Sequence, residues 1–205
     1  MTSLYNVLKS GYQSKDKQSK KLKEDGYIRD DGLSSHNHQA YYNPEKKKLI
    51  FNVTGSHNLS DFITDGYLAA GQLKNTSRYK ESEKILKKAK EKYQPTETAV
   101  TGHSLGSSIG ASIASKNDKV YTLDGGYTVG QKTRSNNQAY RTGGDVVSLL
   151  GANAKHMTTL KNNKNHQGLI TGALTGGVTG AIIGGVKDIF HAHDVDNIKN
   201  EKIFV

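Results

Sequence analysis

The chain has 205 residues, a net charge of +10, 22 glycines, two prolines and no cysteine. That length accommodates one domain with a sizeable core and is short for two. The missing cysteines exclude disulfide staples, thiolate catalysis and Cys-ligated zinc, and the opening MTSLYNVLKSGYQSKDKQ lacks the apolar run of a secretory signal. The positive charge invites an anionic partner. Its lysines, however, are spread through KDKQSKKLK, EKKK and ILKKAKEK, with no nucleic-acid motif and no ladder of stacking aromatics. They read as a solvated basic surface, and no specific nucleic-acid site is expected.

Residues 1–24 form a Lys-rich segment with scattered apolar positions (Leu4, Val7, Leu8, Leu22), read as helical and set before a domain spanning 25–205. QAYYNPEKKKLIFNV gives two β-rich runs that turn at Asn43 and Pro44, the second covering Leu49 to Val53. In TGSHNLSDFITDGYLAAG, Asn58 or Ser60 is placed to cap a helix beginning near Asp61. SRYKESEKILKKAKEKYQ is the clearest helix: Tyr79, Ser82, Leu86, Ala89 and Tyr93 fall on one stripe, and Pro95 closes it. A short strand ETAVTG, a small-residue helix LGSSIGASIAS, and strands in KVYTLDGG and QAYRTGGD follow. Strands alternating with helices predict an α/β sandwich with a mostly parallel central sheet and helices on both faces.

The stretch AVTGHSLGSSIG contains Gly102, His103, Ser104, Leu105 and Gly106, a Gly-x-Ser-x-Gly lying between a strand and a helix. That is the setting of a nucleophile elbow. The sharp turn requires small residues on both flanks, and the helix N-terminus offers donors to a developing oxyanion. An inert serine in a glycine turn is the plainer reading, and the strand–turn–helix context weighs against it.

VTGHSLG resembles the nucleophile motif of the class 3 lipases, the α/β-hydrolases that include the fungal triacylglycerol lipases. Four further stretches carry the resemblance in the family's order. TGSHNLSDFITDGY is similar to its Arg-Gly-Thr/Ser segment with Asp-Trp-x-x-Asp, through Gly55, Ser56, Asp61, Phe62 and Asp65. KVYTLDGGYTVGQ is similar to the strand and turn after the elbow. YRTGGDVVSLL resembles the strand ending in the catalytic acid, and AHDVDNI the terminal block that carries the histidine. The chain departs from the family at Thr54 (usually Arg), Ser107 (usually Gly), Ser148 (usually Pro) and Ile198 (usually Tyr). The Cys-free, Lys- and Asn-rich form is also similar to lipase-like proteins of large DNA viruses, which would place the protein in a cytoplasm or a virus particle.

The chain order Ser, acid, His suits an α/β-hydrolase. Asp124 and Asp145 both follow expected strands, and the resemblance favours Asp145. Among eight histidines, His36, His38 and His57 precede the elbow, His103 belongs to the motif, and His156 and His166 lie close to Asp145. His191 and His193 remain, and alignment on Ala-His selects His193. Their spacing of two also suits a metal pair on a strand. Without cysteine or a third ligand at a recognisable spacing, no metal and no other cofactor is expected. The resemblance implies oxyanion donors at Leu105 and Ser56 and a lid from His57 to about Leu68 that contains Asp61 and Phe62, with capping the plainer role for Asp61.

A glycine-rich insertion lies at about 165–188, uncharged from Gly168 to Val186. Within it, Gly168–Val186 places Gly172, Gly176, Gly180 and Gly184 four apart, and it reads as a close-packed hairpin or insertion beside the acyl groove. Membrane contact is the competing reading. Together these readings imply a serine hydrolase acting on carboxylic esters of lipids, triacylglycerol or phospholipid, at an anionic membrane surface. A non-catalytic structural or membrane-binding protein of the same fold is the alternative. The presence of all three triad candidates weighs against it, because folding does not require them.

Overall fold

The computed structural model describes residues 1–14, 20–56, 72–126, 136–145, 148, 157–161 and 193–205. Its frame is one sheet of seven strands in chain order: β1 (Ile28–Arg29), β2 (His38–Asn43), β3 (Lys48–Val53), β4 (Glu97–His103), β5 (Lys119–Leu123), β6 (Asn137–Thr142) and β7 (Thr158–Leu160). β1, β2 and β3 pair antiparallel, and every pairing from β3 to β7 is parallel. The hairpin expected at Asn43 and Pro44 is present, with Asn43 opposite Lys48 and a left-handed Lys47 (φ 46°) closing the turn.

Side chains alternate across the strands with period two, and the two faces take different partners. Leu49, Phe51 and Val53 of β3, with Val100 and Val120, pack under α3 (Ser77–Tyr93) and α4 (Leu105–Ile113). Ile50, Ala99, Tyr121 and Leu123 face the other way, onto α1 (Leu4–Ser10), α2 (Lys20–Glu24) and the C-terminal residues Val195, Ile198 and Val205. Helices therefore cover both faces of a mostly parallel sheet, as the sequence predicts.

α3 follows the sequence stripe: Tyr79, Ser82, Leu86 and Ala89 are buried, and Tyr93 packs partly buried at the end. The Thr76 hydroxyl caps its start by accepting from the Tyr79 N–H, and Gln94 ends it in the left-handed region (φ 43°) before Pro95. The described parts of the Lys-rich N-terminal segment, 1–14 and 20–24, are tied into the fold. Leu4, Val7, Leu8 and Leu22 all lie in the core, and the Leu4 N–H donates to the Ile203 carbonyl at 2.8 Å.

Candidate active site

β4 passes into α4 through one residue, Ser104, whose backbone sits at φ 58° and ψ −129°. A non-glycine residue adopts positive φ only when its surroundings force it. Here both flanks do so. A Cβ on Gly106 would collide with the Val53 carbonyl oxygen, and one on Gly102 with the Gly106 carbonyl. The turn is pinned by the Ser104 N–H donating to the Leu123 carbonyl (3.0 Å) and by the Ser107 N–H donating to the Ser104 carbonyl (2.9 Å). Ser107, in place of the family's glycine, adds a tie: its hydroxyl lies 2.9 Å from the carbonyls of both Gly102 and Leu123. Leu105 opens α4, so its N–H is among the donors left without a helical acceptor. Ser104 itself is 2% exposed.

The parallel register brings the ends of β4, β5 and β6 to the same sheet edge. Asp145, fully buried, accepts from His193 with Oδ1 2.9 Å from Nδ1. Its other oxygen accepts from the Ser148 N–H at 2.8 Å. The departure at 148 therefore supplies a bond that the family's proline, lacking an N–H, could not make. Burial opposes ionisation of Asp145, yet the His193 charge and hydrogen bond, with those from Ser148, hold its carboxyl below the usual range. His193 is shifted the opposite way: burial lowers its pKa, but the charge and hydrogen bond of Asp145, with the charges of Asp124 and Asp194, outweigh burial and raise it.

Asp124, the other acid candidate, is equally buried and differently held. Both its oxygens accept from Thr142, one from the N–H at 2.5 Å and one from the hydroxyl at 2.9 Å. Burial, then the charge of Asp145, pushes it up to about 8. The structure thus pairs Asp145, not Asp124, with His193.

His103 lies under this pair, its ring 4.8 Å from that of His193 between centroids. Its Nε2 lies 2.9 Å from the His193 carbonyl oxygen and its Nδ1 lies 2.7 Å from the Tyr12 hydroxyl. Ligand atoms of His103, Asp124 and His193 come within 4.8 Å of one another, a set able to hold a metal ion. In this structure hydrogen bonds already engage both His103 nitrogens and both Asp124 oxygens.

Ser56, partly buried, follows β3 on the loop leading from Gly55. Arg78 at the start of α3 donates to the carbonyls of Thr54 and Gly55, the latter at 3.2 Å. A guanidinium from another element therefore serves the stretch where Thr54 replaces the family's arginine. The expected lid with Asp61 and Phe62, its capping residues, His191 and the glycine-rich 168–186 lie outside the described residues. Among the described residues no helix is long and apolar enough to cross a membrane. Arg78 and Tyr12 went unread in the sequence. Arg78 resembles any charge at a helix start, and only the apolar spacing of Leu4, Val7 and Leu8 hinted that the segment before Tyr12 would dock.

Residues 38–123 match the family described as lipase (class 3), from the first residue of β2 to the last of β5. The resemblance read from the motifs therefore stands over β2 to β5, a span that includes Ser104 and stops short of Asp145 and His193. No curated protein matches the chain. Among solved structures, an MDLA mutant from Penicillium cyclopium is 14% identical, with 80% of this chain and 78% of that chain covered at a TM-score of 0.50. The Rhizomucor miehei lipase propeptide complex is 16% identical, covering 79% and 67% at 0.49. Lip2 lipase from Yarrowia lipolytica is 19% identical, covering 53% of each chain at 0.37. Identities this low bear on the fold alone, and the first of them agrees with the α/β architecture.

Proposed function

We propose that the protein hydrolyses carboxylic esters of lipids through an acyl-enzyme formed on Ser104. The observation that carries this reading is the buried Asp145–His193 pair at 2.9 Å, on the sheet edge that presents the strained Ser104. The class 3 lipase match over residues 38–123 supports ester hydrolysis as the reaction class.

Ser104 Oγ attacks the ester carbonyl as His193 Nε2 takes its proton. Asp145 holds the ring through Nδ1, fixing the tautomer and stabilising the imidazolium. The negative oxygen of the tetrahedral intermediate is met by the N–H groups of Leu105 and Ser56. His193 then returns the proton to the departing alcohol. In the second half-reaction His193 activates water, which attacks the acyl carbon and regenerates Ser104. A basic protein with net charge +10 is drawn to anionic membranes, which favours phospholipid as the ester.

Replacing Ser104 with Ala is expected to abolish both ester turnover and covalent labelling by a fluorophosphonate. Survival of either in the purified variant would sink the assignment.

A further inference from the structure

We propose that Tyr12, in the N-terminal segment, is a positioning residue that ties the oxyanion loop, the elbow and the backbone of His193 into one hydrogen-bond chain. This rests on the hydrolase reading above and adds to it a part from far outside the motifs.

The polarity of the chain follows from its acceptors. The His193 carbonyl oxygen can only accept, so His103 Nε2, 2.9 Å away, carries the ring proton. Burial, then the neighbouring His193, presses the His103 pKa down to about 3, so the ring is neutral and Nδ1 holds a bare lone pair. The Tyr12 hydroxyl, 2.7 Å from Nδ1, donates to it. The same phenol oxygen accepts from the Gly55 N–H at 2.9 Å. Burial raises the Tyr12 pKa, so the phenol keeps the proton this arrangement needs. The two rings meet edge to face, with centroids 5.6 Å apart at 79°.

Gly55 is consequently held from both ends. Tyr12 fixes its N–H, and Arg78 its carbonyl. That carbonyl shares a peptide plane with the Ser56 N–H, so clamping it aims the donor assigned to the oxyanion. At the other end of the chain, the bond from His103 fixes the main chain of the residue that moves the proton.

The approach of Tyr12 is itself built into the fold. Gln39, Asn52 and Thr101 sit opposite one another on β2, β3 and β4 and form a buried polar row, with Asn52 bonded to Gln39 at 2.7 Å and Thr101 to Asn52 at 2.8 Å. Gly11 passes directly over this row: a Cβ there would stand 2.9 Å from Asn52 Nδ2 and Thr54 Oγ1. Below it, α1 also braces the turn after His193, through Lys9 to Asp196 (2.7 Å) and the Tyr5 hydroxyl to Asp196 (3.0 Å).

The test is Tyr12→Phe, which keeps the ring and deletes the hydroxyl. The expected result is a kcat lower by about 10- to 100-fold, as for a small misplacement of reacting groups, with KM within about twofold. Active enzyme is counted by fluorophosphonate titration, so lost folded protein cannot mimic lost kcat. Wild-type kcat per titrated site in the variant would overturn the proposal. Nitrogen-15 NMR of the His103 ring supplies a readout that needs no substrate. Nδ1 unprotonated in the wild type, with its resonance shifted in Tyr12→Phe, is expected; a protonated Nδ1 in the wild type would overturn the proposal even if the variant did not fold. Absence of ester turnover and labelling in the wild type would instead remove the hydrolase reading and leave the ring measurement to decide the network.

Discussion

The ends of β5 and β6 each present one aspartate, both with no solvent exposure, yet the two ionise in opposite senses. Asp145 has His193 at 2.9 Å and an N–H from Ser148 on its other oxygen, so its charge has an imidazole N–H and a backbone donor to answer it. Asp124 takes its hydrogen bonds from the neutral Thr142; burial and the charge of Asp145 favour its protonated form, outweighing the charge of His193, which lowers its pKa. Burial depth is the same at both ends and does not decide the chemistry. The partner does.

The sharpest way to break this contrast is to exchange each carboxyl for its neutral amide. Asp145→Asn is expected to lower kcat by about 10,000-fold, because an amide can hold the imidazole in the wrong tautomer. Steady-state turnover of a lipid ester measures this, and a loss of only a few-fold would take the role of the acid from Asp145.

The pH dependence of the wild type sharpens the same point. In the proposed mechanism His193 must be neutral to accept the Ser104 proton, and its acidic neighbours, Asp145 foremost, raise its pKa above the ordinary histidine value of ~6.5. The acid limb of kcat/KM should therefore fall about tenfold per pH unit below an inflection higher than that value. An inflection at or below it would contradict the coupling.

Asp124→Asn should leave turnover within a few-fold of the wild type, since an amide imitates the protonated carboxyl. Its effect falls on stability instead. Asp124 keeps its proton in the folded chain up to about pH 8, whereas in the unfolded chain it ionises near ~3.9. Between those values the folded state holds the extra proton, so stability drops as pH rises and levels off above the upper one. The variant is expected to gain on the wild type across that window, by on the order of a few kcal/mol at its top. Denaturant melts at several pH values read this directly. A flat difference would remove the raised pKa of Asp124, and a loss of turnover matching that of Asp145→Asn would exchange the two roles.

Much of this was legible in the sequence where the cause is local. The apolar stripe of α3, the β-rich run Leu49–Val53 and the Gly-x-Ser-x-Gly at a strand–helix junction each impose their geometry within a few residues. The choice between Asp124 and Asp145 was not legible from spacing, because both follow strands that end at one sheet edge. Only the resemblance to a family separated them. Tyr12 and Arg78 were invisible for a stronger reason. Each acts on Gly55 across 43 and 23 residues of sequence respectively, and no local pattern marks a side chain for a partner that distant. β7, three residues long, carries too little alternation to announce itself.

The strands pair strictly in the order of synthesis, each with the one before it, whereas the Tyr5–Asp196 bond joins residues 191 positions apart. A growing chain can thus lay down its sheet progressively and display the serine turn early. The segment carrying His193 and Asp196 follows the last of these strands, and only with it are His193, Asp145 and α1 brought together. The parts of the proposed site are in this sense made in sequence: the serine turn comes with β4 and β5, and His193 only after β6 and β7.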